Sequence, residues 1–366
     1  MKINKQNPMQ AGVRLLCFLL SACALLSGCA KGTQGSDRTS ADETVQITDT
    51  VPEAVQTTNA VSEEAQTTEA VSEAAETTEA VPEETAGFDP YAVENIYNEI
   101  DQKLFKMQSG VDYGTVIQDL TYPSTVAEDD KQCNVLLPAG YDENETYPVM
   151  YVIHGFGEDH RLLINDRSDC YLVALYGNLL HRGLTVPMII VSIDMYTDPQ
   201  ADKAGKTDAA LKRSYNKVIE EIHTDLMPFI EKNYPVSTAR EDTAVAGVSE
   251  GAGKTLCIGF TWPEAFGWIG AFSPNAGVIP TEFDKGTFWN DPVLQEFPEL
   301  TEDETPRYLY LAVGSADIGS MDPTLYYRDV LDERGIRNQT DLVEGYGHLK
   351  SLWQRCFYNF LTKVFR

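Results

Sequence analysis

Five consecutive residues, Gly247-Val248-Ser249-Glu250-Gly251, carry the G-x-S-x-G spacing of a nucleophile elbow. A serine at the apex of a sharp strand-to-helix turn presents its hydroxyl outward, and a glycine two residues to either side lets strand and helix pack closely. Such a serine needs a base, and the chain has five histidines: His154, His160, His181, His223 and His348. In a chain order of nucleophile, acid, histidine, only His348 qualifies, in Glu344-Gly345-Tyr346-Gly347-His348. The acid then lies between them at a strand end. Asp317, in Val313-Gly314-Ser315-Ala316-Asp317, is favoured because nearness to an apolar run fixes a carboxylate best; Asp322, five residues on, competes. Acyl transfer also needs N–H donors for a developing oxyanion. Backbone amides of Glu250 and of Phe156, in His154-Gly155-Phe156-Gly157, are the candidates, with His154 supporting that loop rather than reacting.

Elements able to hold these residues recur along the chain. Continuous apolar runs at Val149 to Ile153 and Val186 to Ile193, a short β-type run at Thr243 to Ala246, and further stretches at Trp268 to Phe272 and Tyr308 to Val313 predict buried strands, with a last strand at Asn338 to Val343. Helical spacing marks Ser214 to Tyr234, where Pro228 implies a kink or break, a segment through Ile258, Pro323 to Arg334, and Leu349 to Phe365. Such alternation implies an α/β fold with a mostly parallel sheet covered on both faces. Gly114 to Tyr122 and Lys131 to Leu137 predict an antiparallel hairpin at its edge, and Tyr91 to Met107 has the spacing of a helix lying on the body.

The region before the domain has a different composition. Residues 1–28 join Lys2, Lys5 and Arg14 to an apolar run, Leu15 to Leu26, too short for a comfortable membrane span. Leu26-Ser27-Gly28-Cys29 resembles a bacterial lipobox, which implies a lipoprotein signal peptide removed before Cys29 and a lipid on that cysteine; an ordinary signal peptide is the alternative. Residues 29–87 repeat with a period of ten, marked by Val51, Val61, Val71 and Val81, and carry 13 acidic against 2 basic residues. With no large apolar side chain to stack in these repeats, the expectation is a disordered acidic linker leading to a folded α/β domain at 88–366.

Net charge is -28, which argues against nucleic acid and polyanionic partners. Cys133, Cys170, Cys257 and Cys356 have no spacing that selects a disulfide or a zinc site, and Cys257, in an apolar stretch, suits a small buried residue. No metal-ligand cluster or cofactor signature is present in the sequence, so none is expected. Gly251-Ala252-Gly253-Lys254-Thr255 fails as a P-loop because position 248 is Val248 where a glycine is required.

Taken together, Tyr147 to Asp159, Asp225 to Tyr234, Ala246 to Gly251, and Gly347-His348 followed by Trp353 resemble the esterase family that includes carbohydrate esterase family 1, esterase D and enterochelin esterase. The resemblance runs from about Val111 to Phe365. It implies the α/β-hydrolase fold, a Ser249, Asp317 and His348 triad, and, in a secreted and tethered member, feruloyl or acetyl xylan esterase activity on plant polysaccharide. Siderophore or small-ester hydrolysis, acyl transfer, and a non-catalytic carbohydrate-binding role are the alternatives. Loop aromatics Phe283, Phe288, Trp289 and Phe297 are candidates to pocket a feruloyl ring. The chain departs from the family at Glu250, where an uncharged residue is usual, and more mildly at Ala252. A tolerated carboxylate there predicts that Glu250→Met keeps or raises turnover. Oligomeric state is open.

Overall fold

The computed structural model describes residues 87–167, 171–199, 208–283 and 292–366. Within them eight strands form one sheet: β1 (Thr115–Ser124), β2 (Asp129–Leu137), β3 (Val149–Ile153), β4 (Ile189–Ile193), β5 (Thr243–Val248), β6 (Trp268–Phe272), β7 (Tyr308–Gly314) and β8 (Gln339–Val343). Their order is β1-β2-β4-β3-β5-β6-β7-β8. The first two pairings are antiparallel and the other five parallel, with β5 near the centre.

Strands β3 to β7 are buried along their whole length, as a parallel sheet covered on both faces requires. Alternate residues serve different layers. Val149, Tyr151 and Ile153 share a core with Leu211, Tyr215 and Val218 of helix α2 (Asp208–Glu221), Leu256 of α4 (Glu250–Thr261) and Tyr327 of α5 (Met321–Glu333). Met150 and Val152 instead face Leu175 and Leu179 of α1 (Val173–His181) and Phe357 and Phe360 of α6 (Lys350–Leu361). This is the α/β-hydrolase architecture, and β1 with β2 is the antiparallel pair expected at the edge.

One stretch differs from the sequence expectation, and one expected irregularity takes a definite form. Residues 91–107 do not form a helix but two single 3-10 turns, Pro90–Ala92 and Gln102–Phe105. Their backbone groups are spent on α6 and its flank: Asn359 both donates to Ile96 O (2.8 Å) and accepts from Ile96 N–H (3.0 Å), while the Lys363 ammonium donates to Val93 O (2.6 Å). The Arg366 guanidinium lies 5.4 Å over the Phe88 ring, closing this clasp between residues 88–97 and the last helix. The break expected at Pro228 is a π-turn, Ile222–Leu226, between α2 and α3 (Met227–Asn233). Pro228 has no N–H, and the wider turn lets Met227 N–H reach back to Ile222 O.

Cys133, Cys257 and Cys356 are buried free thiols. The leader, Cys29, the repeats up to residue 86, and Cys170 lie outside the described residues.

Candidate active site

Ser249 stands between the end of β5 and the start of α4 at φ 56°, ψ -121°, a conformation an L-residue holds only when its surroundings enforce it. Its N–H donates to Phe272 O (2.9 Å), and its carbonyl accepts from Ala252 N–H (3.0 Å) and Gly253 N–H (3.2 Å). Both flanking glycines are sterically required. A Cβ on Gly247 would lie 2.5 Å from Gly251 O, and one on Gly251 would lie 2.3 Å from His154 O. The close fit of α4 on the end of β3 brings the 154–157 loop to the serine: an ideal Cβ on Gly155 would sit 4.0 Å from Ser249 Oγ.

His348 follows β8, and its Nε2 is 2.8 Å from Ser249 Oγ. Its Nδ1 is 2.8 Å from Asp317 Oδ2, just after β7. An ionised carboxylate only accepts, so Nδ1 carries the proton and Nε2 is left to accept the serine O–H. The other Asp317 oxygen accepts from Ser320 N–H (3.2 Å), and the carboxylate is 2% exposed. Asp322 is exposed on the first turn of α5 and lines the cleft wall, so the contact to histidine belongs to Asp317. The His348 ring meets Trp353 edge-to-face at 4.9 Å, and the Trp353 indole N–H donates to Ser273 Oγ (3.1 Å). Trp353 and Ser273 therefore fix the imidazole plane, and neither was singled out from the sequence as a site residue.

His154 is buried and bonded at both nitrogens: Nδ1 donates to Gly155 O (2.7 Å) and Nε2 accepts from Met195 N–H (3.0 Å). It braces the loop, and Phe156 packs its ring edge-to-face on Tyr215 at 5.7 Å. Behind it, His160 bridges Asp194 (3.2 Å) and Asp119 (2.9 Å). Burial opposes charge on His160, but these two carboxylates outweigh it and raise its pKa above the ordinary 6.5. Burial likewise disfavours the Asp194 carboxylate, yet the adjacent His154 and the bond to His160 hold its pKa below the ordinary 3.8.

Glu250 does not face substrate. It is 1% exposed, with Oε1 2.9 Å from the ammonium of Lys254, itself 2% exposed, and Oε2 accepting from Asn275 Nδ2 (2.7 Å). Burial raises the Glu250 pKa, opposed chiefly by Lys254. The carboxylate is thus a buried ion-pair partner, out of reach of any substrate cation. Replacing it alone strands Lys254, so Glu250→Met, expected from the sequence to keep or raise turnover, carries a stability cost as well. The i, i+4 spacing of Glu250 and Lys254 was the signal available in the sequence.

The three side chains open into a cleft of about 660 Å³ that also exposes Phe283 (48%) and Ile318 (93%), with Asn275 on one wall. Phe297 is not part of it; fully buried, it packs on Phe260 at 4.7 Å. Phe288 and Trp289 lie outside the described residues. Among the described residues no group of three or more His, Cys, Asp or Glu is arranged to hold a metal ion.

A strained serine bonded to a histidine that is bonded to a buried aspartate is chemistry shared by many folds, and relatives narrow it. The family described as Putative esterase matches residues 124–348, more than half of the chain. The chain belongs to that family. A CE1 ferulic acid esterase from Anaeromyces mucronatus, solved in complex with ferulic acid, is 31% identical with a TM-score of 0.66, over 75% of this chain and 98% of that one. An endo-1,4-beta-xylanase/feruloyl esterase of Xylanibacter ruminicola is 25% identical over 273 residues, 73% of this chain. The chain spans only 33% of the length of that relative. The feruloyl esterase module from Clostridium thermocellum complexed with sinapinate, 18% identical at a TM-score of 0.56 over 74% of this chain and 94% of that one, shares the fold.

Proposed function

We propose that this protein is a serine carboxylic-ester hydrolase that removes feruloyl or acetyl groups from plant polysaccharide such as xylan. The observation that carries the reading is the continuous line from Asp317 Oδ2 through His348 to Ser249 Oγ, two contacts of 2.8 Å in an open cleft. His348 Nε2 takes the serine proton as Oγ attacks the ester carbonyl, and Asp317 stabilises the imidazolium that forms. The oxyanion is met by the backbone N–H groups of Glu250 and Phe156. Glu250 N–H belongs to the first turn of α4, where amides have no partner within the helix and the helix dipole favours negative charge. The imidazolium then protonates the departing sugar oxygen, and a water activated by the same nitrogen releases the acid. Phe283 and Ile318 give the cleft apolar surface for an aromatic acyl group, in keeping with the ferulic acid bound by the Anaeromyces relative.

The cellular setting belongs to the same proposal: the lipobox-like Leu26 to Cys29 and the acidic repeats suit a domain held off the outer face of a bacterial membrane by lipid on Cys29. Labelled palmitate should enter the wild-type chain and not Cys29→Ser.

Purified protein and Ser249→Ala are compared on 4-nitrophenyl acetate, methyl ferulate, acetylated xylan and a catecholate siderophore ester. Ser249-dependent turnover of the ferulate or the acetylated xylan is expected. Turnover confined to the siderophore replaces the substrate class, and no Ser249-dependent turnover on any of them leaves a carbohydrate-binding role.

A further inference from the structure

Ser249 lies between two cavities. The cleft just described extends over the ends of β5 to β7, toward Asn275 and Asp317. A second cavity of about 510 Å³ opens between β1, the turn after β3 and the end of β4, lined by Gln118, Gly157, Asp159, Arg161 and Tyr196 among others. In the strand order β1-β2-β4-β3-β5, Tyr196 beyond β4 lies two strands from the serine, about 10 Å across the sheet, and the far wall at Gln118 on β1 lies four strands away, about 19 Å. Its near wall starts at Gly157, two residues beyond the Gly155 backbone that abuts Ser249. An ester with its carbonyl at Ser249 has two ends, and the molecule offers a separate recess on each side.

The second recess is polar and prearranged. The Arg161 guanidinium is held by Asp119 (2.8 Å) on one side and Asp159 (3.1 Å) on the other, yet is 44% exposed. Asp119 sits in the irregular part of the β1 and β2 pairing at φ 54°, and its carboxylate is fixed by His160, which is 2% exposed. Arginine has five N–H donors and each carboxylate about four acceptor sites, so this array keeps both kinds of group for a ligand after its internal bonds are made. Tyr196 supplies a ring, itself packed on Tyr215 at 5.2 Å and parallel to the His154 ring at 6.2 Å. Alternating donors and acceptors beside an aromatic ring match the vicinal hydroxyls and apolar face of a sugar. With Asp119, Asp159, Glu158 and Asp166 against Arg161 and Arg167, local charge disfavours uronates and phosphates.

We infer that the cavity walled by Arg161, Asp159 and Tyr196 is a subsite for the neutral saccharide that forms the alcohol side of the ester, while the acyl group occupies the cleft at Ser249. The inference rests on the esterase reading above. It assigns selectivity for glycosyl over simple alkyl esters to residues that take no part in the chemistry.

The test uses the full-length chain and three variants, Arg161→Gln, Asp159→Asn and Gln118→Ala, assayed on methyl ferulate and on a feruloylated arabinoxylan oligosaccharide. Arg161→Gln and Asp159→Asn should each lower kcat/KM on the oligosaccharide about tenfold, mainly through KM, the effect of one or two lost hydrogen bonds. Gln118→Ala should lower it less, and methyl ferulate turnover should stay within about twofold throughout. An equal loss on both substrates, or no loss on either, overturns the subsite. Calorimetric titration of Ser249→Ala with the unesterified oligosaccharide is read independently of turnover: binding weakened by Arg161→Gln supports the subsite even if the esterase reading fails, and no binding overturns it.

Discussion

Lys254→Met tests the ion pair next to the nucleophile. Lys254 and Glu250 are 2% and 1% exposed and 2.9 Å apart, so removing the ammonium leaves a carboxylate buried without its main counter-charge. Breaking one side of a buried pair costs about 3–5 kcal/mol, whereas replacing both by apolar groups is often neutral or stabilising. The buried Lys212 lies within Coulombic reach of Glu250, and the Asn275 bond survives, so the lower end applies, about 3 kcal/mol. At roughly 2–4 °C per kcal/mol for a domain near this size, Tm should fall by about 10 °C. Glu250→Met strands the ammonium and should cost at least as much. The double variant Glu250→Met/Lys254→Met should return to within about 1 kcal/mol of wild type, a coupling energy of about 5 kcal/mol or more in urea unfolding. A pH arm adds a sign. Burial raises the folded pKa of Glu250 above its ordinary 4.5, and losing Lys254 raises it further, so the protonated form is favoured in the fold. The Lys254→Met deficit should therefore grow as pH rises above 4.5 and shrink as pH falls toward it. Additive single-variant costs, or a deficit flat from pH 4.5 to 7, would refute the reasoning.

Other outcomes follow from the same geometry. Asp317→Asn should lower kcat by about 10³–10⁴-fold with KM little changed, because an amide disturbs the tautomer that leaves Nε2 free, while Asp322→Asn should change kcat less than about threefold; the reverse pattern reassigns the acid. Gly251→Ala places a methyl 2.3 Å from His154 O and should destabilise the fold by about 1–3 kcal/mol, seen as a lower Tm, with reduced turnover in what still folds. His160, with a folded pKa above 6.5, gives stability that is full below pH 6.5 and lost as pH rises through the folded value. Asp194, with a folded pKa below 3.8, gives stability present above 3.8 and lost on acidification through its folded value. His160→Gln should accordingly flatten the decline of Tm above pH 6.5; an unchanged slope would show that His160 is not its source.

What could be read from the sequence had a physical reason to be visible. Val149–Ile153 and Trp268–Phe272 were found to the residue because strands buried on both faces are unbroken apolar runs. The serine and its histidine announce themselves through an elbow motif and a single downstream imidazole. Helix α1 was missed for the converse reason: Val173 to Leu179 are all buried, so it shows no polar face to set a helical period. Residues 91–107 carried that period without the helix, since Asn359 and Lys363 claim their backbone groups from 250 residues or more away in sequence. The second cavity is assembled from β1, the turn after β3 and the end of β4, and no local pattern joins Gln118, Arg161 and Tyr196.

The clasp between residues 88–97 and the last helix also has a topological consequence. With Phe88 beneath Arg366 and Val93 bonded to Lys363, the two ends of the domain leave it from one place. A short peptide joining 366 to 88 would close the polypeptide into a ring with little strain, and that ring can be reopened at an exposed turn such as Glu143 to Glu145. A circular permutant of this kind would keep both the sheet order and the site. Attachment at either end would hold the domain by the same corner.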